Sequence, residues 1–231
     1  MAEYKEHTPL FVDLDGTLLK TDILYEEILI LLKRNIFNCV PLLFWLAKGR
    51  AYLKFQLSKR VSMPIETLPV NAEFFKYLQM QKKENRKLIL ISGANQKAVD
   101  EVNNCVKLFD ATFGSDERVN LTGQKKLKKI EMLTKGKPFS YAGNSQEDTV
   151  IWNKASQAII VNSRVKTINS QKFKDALNFD SRESALGQLF RSVRPHQWLK
   201  NLLVFIPLIL SHQLSNTGLI SVLLVAFISF S

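Results

Sequence analysis

Cysteine is nearly absent from this chain: 231 residues contain two, Cys39 and Cys105. Two cysteines without metal or redox spacing exclude a disulfide framework, a zinc site and a dithiol centre, and free buried thiols are expected. Histidine is scarce too, and His7 and His212 show no metal-ligand spacing. The first residues, Met1-Ala2-Glu3-Tyr4-Lys5-Glu6, carry no apolar signal region. Internal repeats and low-complexity segments are missing. Past Glu183 there is no acidic residue at all.

What is abundant is positive charge. The chain has 32 Lys and Arg against 21 Asp and Glu, a net charge of +11. Nucleic acid is a poor explanation, because neither an aromatic-basic interleaved sheet nor a recognition-helix motif is present. A membrane surface is favoured, because Arg191, Arg194 and Lys200 directly precede an apolar tail. The positive-inside rule then puts the preceding domain in the cytoplasm.

The most informative stretch is Leu10-Phe11-Val12-Asp13-Leu14-Asp15-Gly16-Thr17. A short apolar run bounded by glycine suits a buried strand. Asp13 and Asp15 fall at its carboxyl end, two apart, so both could reach one pocket at the strand-to-loop switch. Two close carboxylates repel unless a cation or a shared proton neutralises them, and oxygen ligands suit Mg²⁺. A turn with two solvated acids is the plainer reading. An EF-hand loop fits poorly, because glycine is fourth and the twelfth residue is Leu24.

Three further segments follow. Lys87-Leu88-Ile89-Leu90-Ile91-Ser92-Gly93 is a second apolar strand ending in a hydroxyl. Asn120-Leu121-Thr122-Gly123-Gln124-Lys125-Lys126 opens a helix whose apolar face includes Ile130 and Leu133. Tyr141-Ala142-Gly143-Asn144-Ser145-Gln146-Glu147-Asp148 follows a strand-like Phe139-Ser140-Tyr141-Ala142.

In this order the four segments resemble the motifs of the haloacid dehalogenase (HAD) superfamily of phosphatases and phosphotransferases. The resemblance implies an α/β, Rossmannoid three-layer domain with a helical cap inserted after the first strand. It implies Asp13 as nucleophile and Asp15 as general acid and base. Ser92, Gly93 and a lysine would bind the phosphoryl group; Lys126 fits best and Lys125 is the alternative, beside the plainer reading of a solvated basic helix face. It implies Mg²⁺ held among Asp13, Asp15, Asn144 and Asp148. The family usually has Asp where Asn144 stands, so the site offers one charge less. The substrate would be a phosphorylated small molecule or a prenyl-linked phosphosugar.

The core is expected over 1–18 and 85–165, and the cap over 19–84. The cap contains Ile28-Leu29-Ile30-Leu31-Leu32 and Val40-Pro41-Leu42-Leu43-Phe44-Trp45-Leu46-Ala47, followed by Lys48, Arg50, Lys54, Lys59 and Arg60. Each run is shorter than the ~20 apolar residues that span a bilayer. Two readings stay open: a helical pair burying its own apolar faces, with Leu46, Leu53 and Leu57 on one side, or a cap resting on a membrane through Trp45 and its cations.

Residues 166–190 read as a polar, basic linker. Residues 191–231 read as an incomplete transmembrane segment. An apolar run from Leu202 to Leu210 is followed by a polar turn and a second run from Leu219 to Ser231. At 1.5 Å per residue that second run reaches only ~20 Å, short of the ~30 Å hydrocarbon core. A buried core helix and a surface anchor are the other readings of the tail. Ser192-Val193-Arg194-Pro195-His196-Gln197-Trp198-Leu199-Lys200-Asn201-Leu202-Leu203 is similar to the opening of the UbiA-type polyprenyltransferases, in the decaprenyl-phosphate phosphoribosyltransferase-like branch. That resemblance implies a truncated membrane domain lacking its Asp-rich motif, with the remainder of the transferase as a possible partner. Pro195, His196 and Trp198 also suit a general interfacial anchor.

Overall fold

The computed structural model describes residues 8–162 and 176–180, all within one compact unit that ends at Ser181. Strand β1 (Leu10–Val12) is followed by helices α1 (Ile23–Arg34), α2 (Cys39–Ala47), α3 (Arg50–Arg60) and α4 (Ala72–Lys83). Next come β2 (Leu88–Asn95), α5 (Gln96–Val106), β3 (Ala111–Ser115), α6 (Gly123–Thr134) and β4 (Ser140–Gly143). The short α7 (Thr149–Trp152), β5 (Gln157–Val161) and β6 (Leu177–Phe179) complete the described order.

The strands form one parallel sheet in the order β3-β2-β1-β4-β5-β6. Parallel strands buried on both faces read as continuous apolar runs, and β1 shows why. Leu10 and Val12 enter one apolar cluster with Phe74 and Leu78 of α4 and Val99 and Val102 of α5. Phe11 points the other way, toward Leu127 and Ile130 of α6 and Trp152 of α7. The three layers expected from the sequence are therefore present. Parallel topology also brings every strand's carboxyl end to one edge, with β1 central between β2 and β4.

The opposite edge is tied by a buried arginine. Arg86 Nε donates to the Thr8 carbonyl at 2.9 Å, and its Nη2 donates to Ser140 Oγ at 2.6 Å and reaches Gln157 Oε1 at 3.4 Å. The chain entering β1, β2, β4 and β5 is thereby gathered around one guanidinium. Multiple donors in a fixed plane make arginine suited to this, and hydrogen bonds satisfy its buried charge.

Helices α1 to α3 form the cap and have their own small core of Leu31, Trp45, Leu53, Leu57 and Val61. Several expectations are corrected here. Trp45 is buried, covered by the Arg60 guanidinium 4.6 Å from its ring. It therefore cannot be the membrane anchor, and Leu46 is exposed in its place. The bulkiest ring fills the three-helix junction, which turns Leu46 outward. Residues 72–83, expected within the cap, instead pack Phe74 and Leu78 into the sheet's core. Residues 177–179, expected within the linker, pair with β5 as an edge strand. Phe179 packs there edge-on against Phe74 and tilted against Tyr77, which is why a polar stretch is recruited. Both cysteines, expected to be buried, are exposed: Cys39 opens α2 and Cys105 lies on α5. Among the described residues, no helix is long and apolar enough to cross a membrane. The proposed membrane segment, 191–231, lies outside the described residues.

Candidate active site

The carboxyl ends of β1, β2 and β4 place the motif residues together. Beyond β1 the chain turns at Gly16, whose φ of +73° favours glycine. A side chain there would also collide with Asn144, since a Cβ would lie 2.0 Å from Asn144 Nδ2. The close approach of these two loops explains why glycine follows the second acid. On β2 the ladder to β3 shifts register between Ile91 and Asn95, so Ser92 and Gly93 sit at the break.

The centre of the site is a buried ion pair. Lys126 Nζ lies 2.9 Å from Asp13 Oδ1 and 3.7 Å from Asp148 Oδ1. It also donates to Tyr141 Oη at 3.0 Å, and that hydroxyl donates to Asp148 Oδ1 at 2.5 Å. Helical spacing explains the choice between the two lysines: Lys126 shares the inward face with Leu127 and Ile130, whereas Lys125 is exposed. Burial pushes the Asp13 carboxyl up to about 6, although Lys126 opposes the rise. Burial alone would depress the Lys126 ammonium, but Asp13 and Asp148 outweigh it and hold it above its ordinary value.

Asp15 is differently employed. Its Oδ1 accepts from the Ile23 amide at 2.9 Å, satisfying one of the free donors at the start of α1. Its Oδ2 accepts from Ser92 Oγ at 3.3 Å. Burial, then the nearby Asp22 carboxylate, raises Asp15 to about 7. A carboxyl with that value can hold a proton or release it near neutrality, which general acid–base work requires.

Asp148 is engaged at both oxygens. Oδ2 accepts from the amides of Asn144 and Ser145, at 3.1 and 2.9 Å, and from Ser145 Oγ at 2.8 Å. The structure thus uses it to fix the β4 loop and orient Lys126. Among the described residues, no group of three or more His, Cys, Asp or Glu side chains is arranged to hold a metal. The oxygen donors closest in kind to a Mg²⁺ shell are the Asp13 carboxylate, the Asp15 carbonyl and the Asn144 amide. All three are hard oxygens and so fit such an ion, with one formal charge among them.

The cap contributes residues that the sequence reading did not assign. Lys54 of α3 reaches the Gly93 carbonyl at 2.6 Å and Asn120 Oδ1 at 3.1 Å, and burial lowers its ammonium. Glu27 of α1 is 4% exposed, and its charge neighbours include Asp15, Lys54, Lys97 and Glu101. Their tertiary partners are far away in sequence, so no local pattern reveals them. Tyr141 was legible in principle, because strand alternation turns it to the same face as Phe11 and Lys126.

Glu27 carries a pH consequence. Burial, then Asp15, raises it from 4.5 to about 8. The folded protein therefore holds it protonated over a range where the unfolded chain has released the proton. That contribution to stability is complete below pH 4.5 and is lost as pH rises toward 8. Glu27→Gln should flatten the decline, giving the variant roughly 3–4 kcal/mol relative to wild type between pH 5 and pH 8. Urea unfolding at both pH values measures it; parallel wild-type and variant profiles would refute it.

No protein-family model matches the chain. The uncharacterized protein y4nM of Sinorhizobium fredii is 31% identical over 211 residues, which is 87% of this chain and 40% of that protein. The chain thus spans about two fifths of the length of that curated relative. Among solved structures, a protein of unknown function from Bordetella pertussis Tohama I superposes with a TM-score of 0.58 at 11% identity, covering 75% of this chain and 98% of its own. A substrate-bound phosphoserine phosphatase superposes with a TM-score of 0.54 at 15% identity, covering 81% of this chain and 99% of its own. The superposition on the phosphoserine phosphatase shows a HAD-like fold.

Proposed function

We propose that this domain is a Mg²⁺-dependent phosphomonoester hydrolase that works through an aspartyl-phosphate on Asp13. The observation that supports it most is the buried Asp13–Lys126 pair at the end of the central strand, with Asp15 and Ser92 beside it. In this reading Asp13 attacks phosphorus through a carboxylate oxygen, and the bond to the leaving oxygen breaks. Asp15 gives that oxygen its proton, so an alcohol departs. Asp15 then takes a proton from water, whose oxygen attacks the phosphoryl group and returns Asp13 as carboxylate. Lys126 and Ser92 hold the phosphoryl oxygens, because phosphoryl transfer depends mainly on positioning and charge. Asp13, the Asp15 carbonyl and Asn144 would hold Mg²⁺, which offsets the repulsion between nucleophile and phosphate.

The substrate class we propose is a phosphorylated small molecule or a prenyl-linked phosphosugar. It rests on the resemblance of residues 192–203 to the phosphoribosyltransferase branch of the UbiA-type transferases, whose phosphoribosyl products retain a removable phosphate. The domain would then face the cytoplasmic side of a membrane, ahead of the start of the transferase domain.

A second reading is a degenerate module that regulates or scaffolds such a transferase. It is favoured by Asn144 and by the full engagement of Asp148. Hydrolysis of p-nitrophenyl phosphate against Mg²⁺ concentration separates the two. We expect wild-type turnover that chelation abolishes, and an Asn144→Asp variant that reaches half-maximal rate at roughly tenfold less Mg²⁺, since it restores a charged oxygen. An inactive wild type with an active Asn144→Asp variant would assign the degenerate role.

A further inference from the structure

Helix α2 and the turn before it expose an apolar stripe that no described residue covers. Phe37 is 76% exposed, Leu43 68%, Val40 65%, Ile36 65% and Phe44 59%. Their spacing (36 and 37, then 40, then 43 and 44) returns to one side of the helix at every turn. The opposite side buries Trp45 in the cap's core. So many large side chains on one exposed face mark an interaction surface, not the scattered apolar exposure of ordinary proteins.

Charge identifies what the surface fits. From Ile28 to Ile65 the chain has no Asp or Glu. Lys33 and Arg34 precede the stripe, Lys48 and Arg50 follow it, and Lys59 and Arg60 end α3; all six are exposed. None of the six forms an ion pair among the described residues. The Lys48 ammonium lies 4.6 Å from the Phe44 ring centroid, so cation and aromatic meet at the end of the stripe. An apolar face whose flanking segments carry cations and no acid is the pattern of a helix lying in the plane of an anionic membrane.

We propose that the cap docks on an anionic lipid bilayer. In that arrangement Ile36, Phe37, Val40, Leu43 and Phe44 enter the boundary between headgroups and acyl chains, and the cations flanking the stripe, Lys33, Arg34, Lys48 and Arg50, meet lipid phosphates. The two competing occupants lack the complementary charge. A second copy would oppose the same cations, and the chain carries +11 overall. The chain's own apolar tail beyond Glu183 also carries the cations Arg191, Arg194 and Lys200 and no acid. The inference does not depend on hydrolysis, since binding needs no turnover.

The two exposed cysteines supply the test. Cys39 opens α2 beside the stripe, and Cys105 lies on α5 of the core domain. The full chain is prepared as Cys105→Ser and, separately, as Cys39→Ser, and the remaining thiol is labelled with a polarity-sensitive fluorophore. Each is mixed with vesicles of phosphatidylcholine alone or with phosphatidylglycerol added. Expected is a blue shift of the Cys39 label that needs about tenfold less lipid when phosphatidylglycerol is present. The Cys105 label should stay unshifted. Adding Phe37→Asp and Phe44→Asp, both at exposed positions, should abolish the Cys39 shift while circular dichroism stays unchanged.

A chain that sediments with vesicles while the Cys39 label stays unshifted would overturn the proposal, assigning attachment to other residues. So would equal shifts at both labels. A Cys39 label already shifted without lipid would assign the face to a second copy if the shift grows with protein concentration. If that shift is independent of concentration, the face belongs to the chain's own tail.

Discussion

Asp13→Asn should lower phosphomonoester turnover by roughly 10⁴-fold or more, because the amide cannot form the phosphorylated intermediate. The fold should survive the change. Asn keeps the volume of Asp and can still accept from the Leu14 amide, which bonds Asp13 Oδ1 at 2.9 Å. Lys126 also keeps a counter-charge, since Asp148 lies 3.7 Å away. Loss of rate with an intact unfolding transition therefore separates chemistry from structure. Mass spectrometry of acid-quenched wild type should find a phosphoryl group on the peptide containing Asp13. Wild-type rates in Asp13→Asn would rule out the covalent route.

Lys126→Met should fail in both respects. The methionine keeps much of the buried lysine's length but leaves Asp13 and Asp148 without their shared cation. Removing one partner of a buried pair costs roughly 3–5 kcal/mol. Here the cost depends on pH. Asp13 is already raised to about 6 by burial against the attraction of Lys126. Without that attraction its carboxyl rises further and takes up a proton when folded. The folded variant is then penalised most where the unfolded carboxyl is ionised, so destabilisation should be larger at pH 8 than at pH 5. Turnover should fall by roughly 10²–10³-fold, the usual loss when a group stabilising developing charge is removed. Denaturant unfolding at the two pH values and steady-state rates at one suffice. A variant as stable as wild type at pH 8 would show that the pair is not the electrostatic centre of the site.

The sheet was legible because its strands are local and strongly patterned. Leu10–Val12 and Leu88–Ile91 are unbroken apolar runs ended by Asp13 and Ser92, and parallel pairing follows from their burial on both faces. Lys126 was legible because helical spacing put it with Ile130. The cap was not. Whether Trp45 or Leu46 turns inward depends on which side meets α1 and α3, and both sides of α2 are apolar. Hydrophobic periodicity carries no information when there is no polar side. Strand β6 was hidden for a related reason: Leu177-Asn178-Phe179 is too short and mixed to stand out, and its order comes from Phe74, Tyr77 and the edge of β5. Lys54 and Glu27 were missed because a cap residue's role is set by the core residues it meets, which lie far away in sequence.

Arg86 lies at the far edge of the sheet from Asp13, and this separation has a consequence for how the domain tolerates change. The strand beginnings are cross-linked by its hydrogen bonds to Thr8, Ser140 and Gln157. The strand ends hold the groups proposed to react. Substitutions near the guanidinium should therefore appear as altered melting temperature with normal rates, and most substitutions at the opposite rim as altered rates with normal melting. Lys126, buried deeply enough to belong to both classes, marks where that division of labour breaks down. A lineage could thus exchange one chemistry for another at the rim while the sheet's anchored end preserves its architecture.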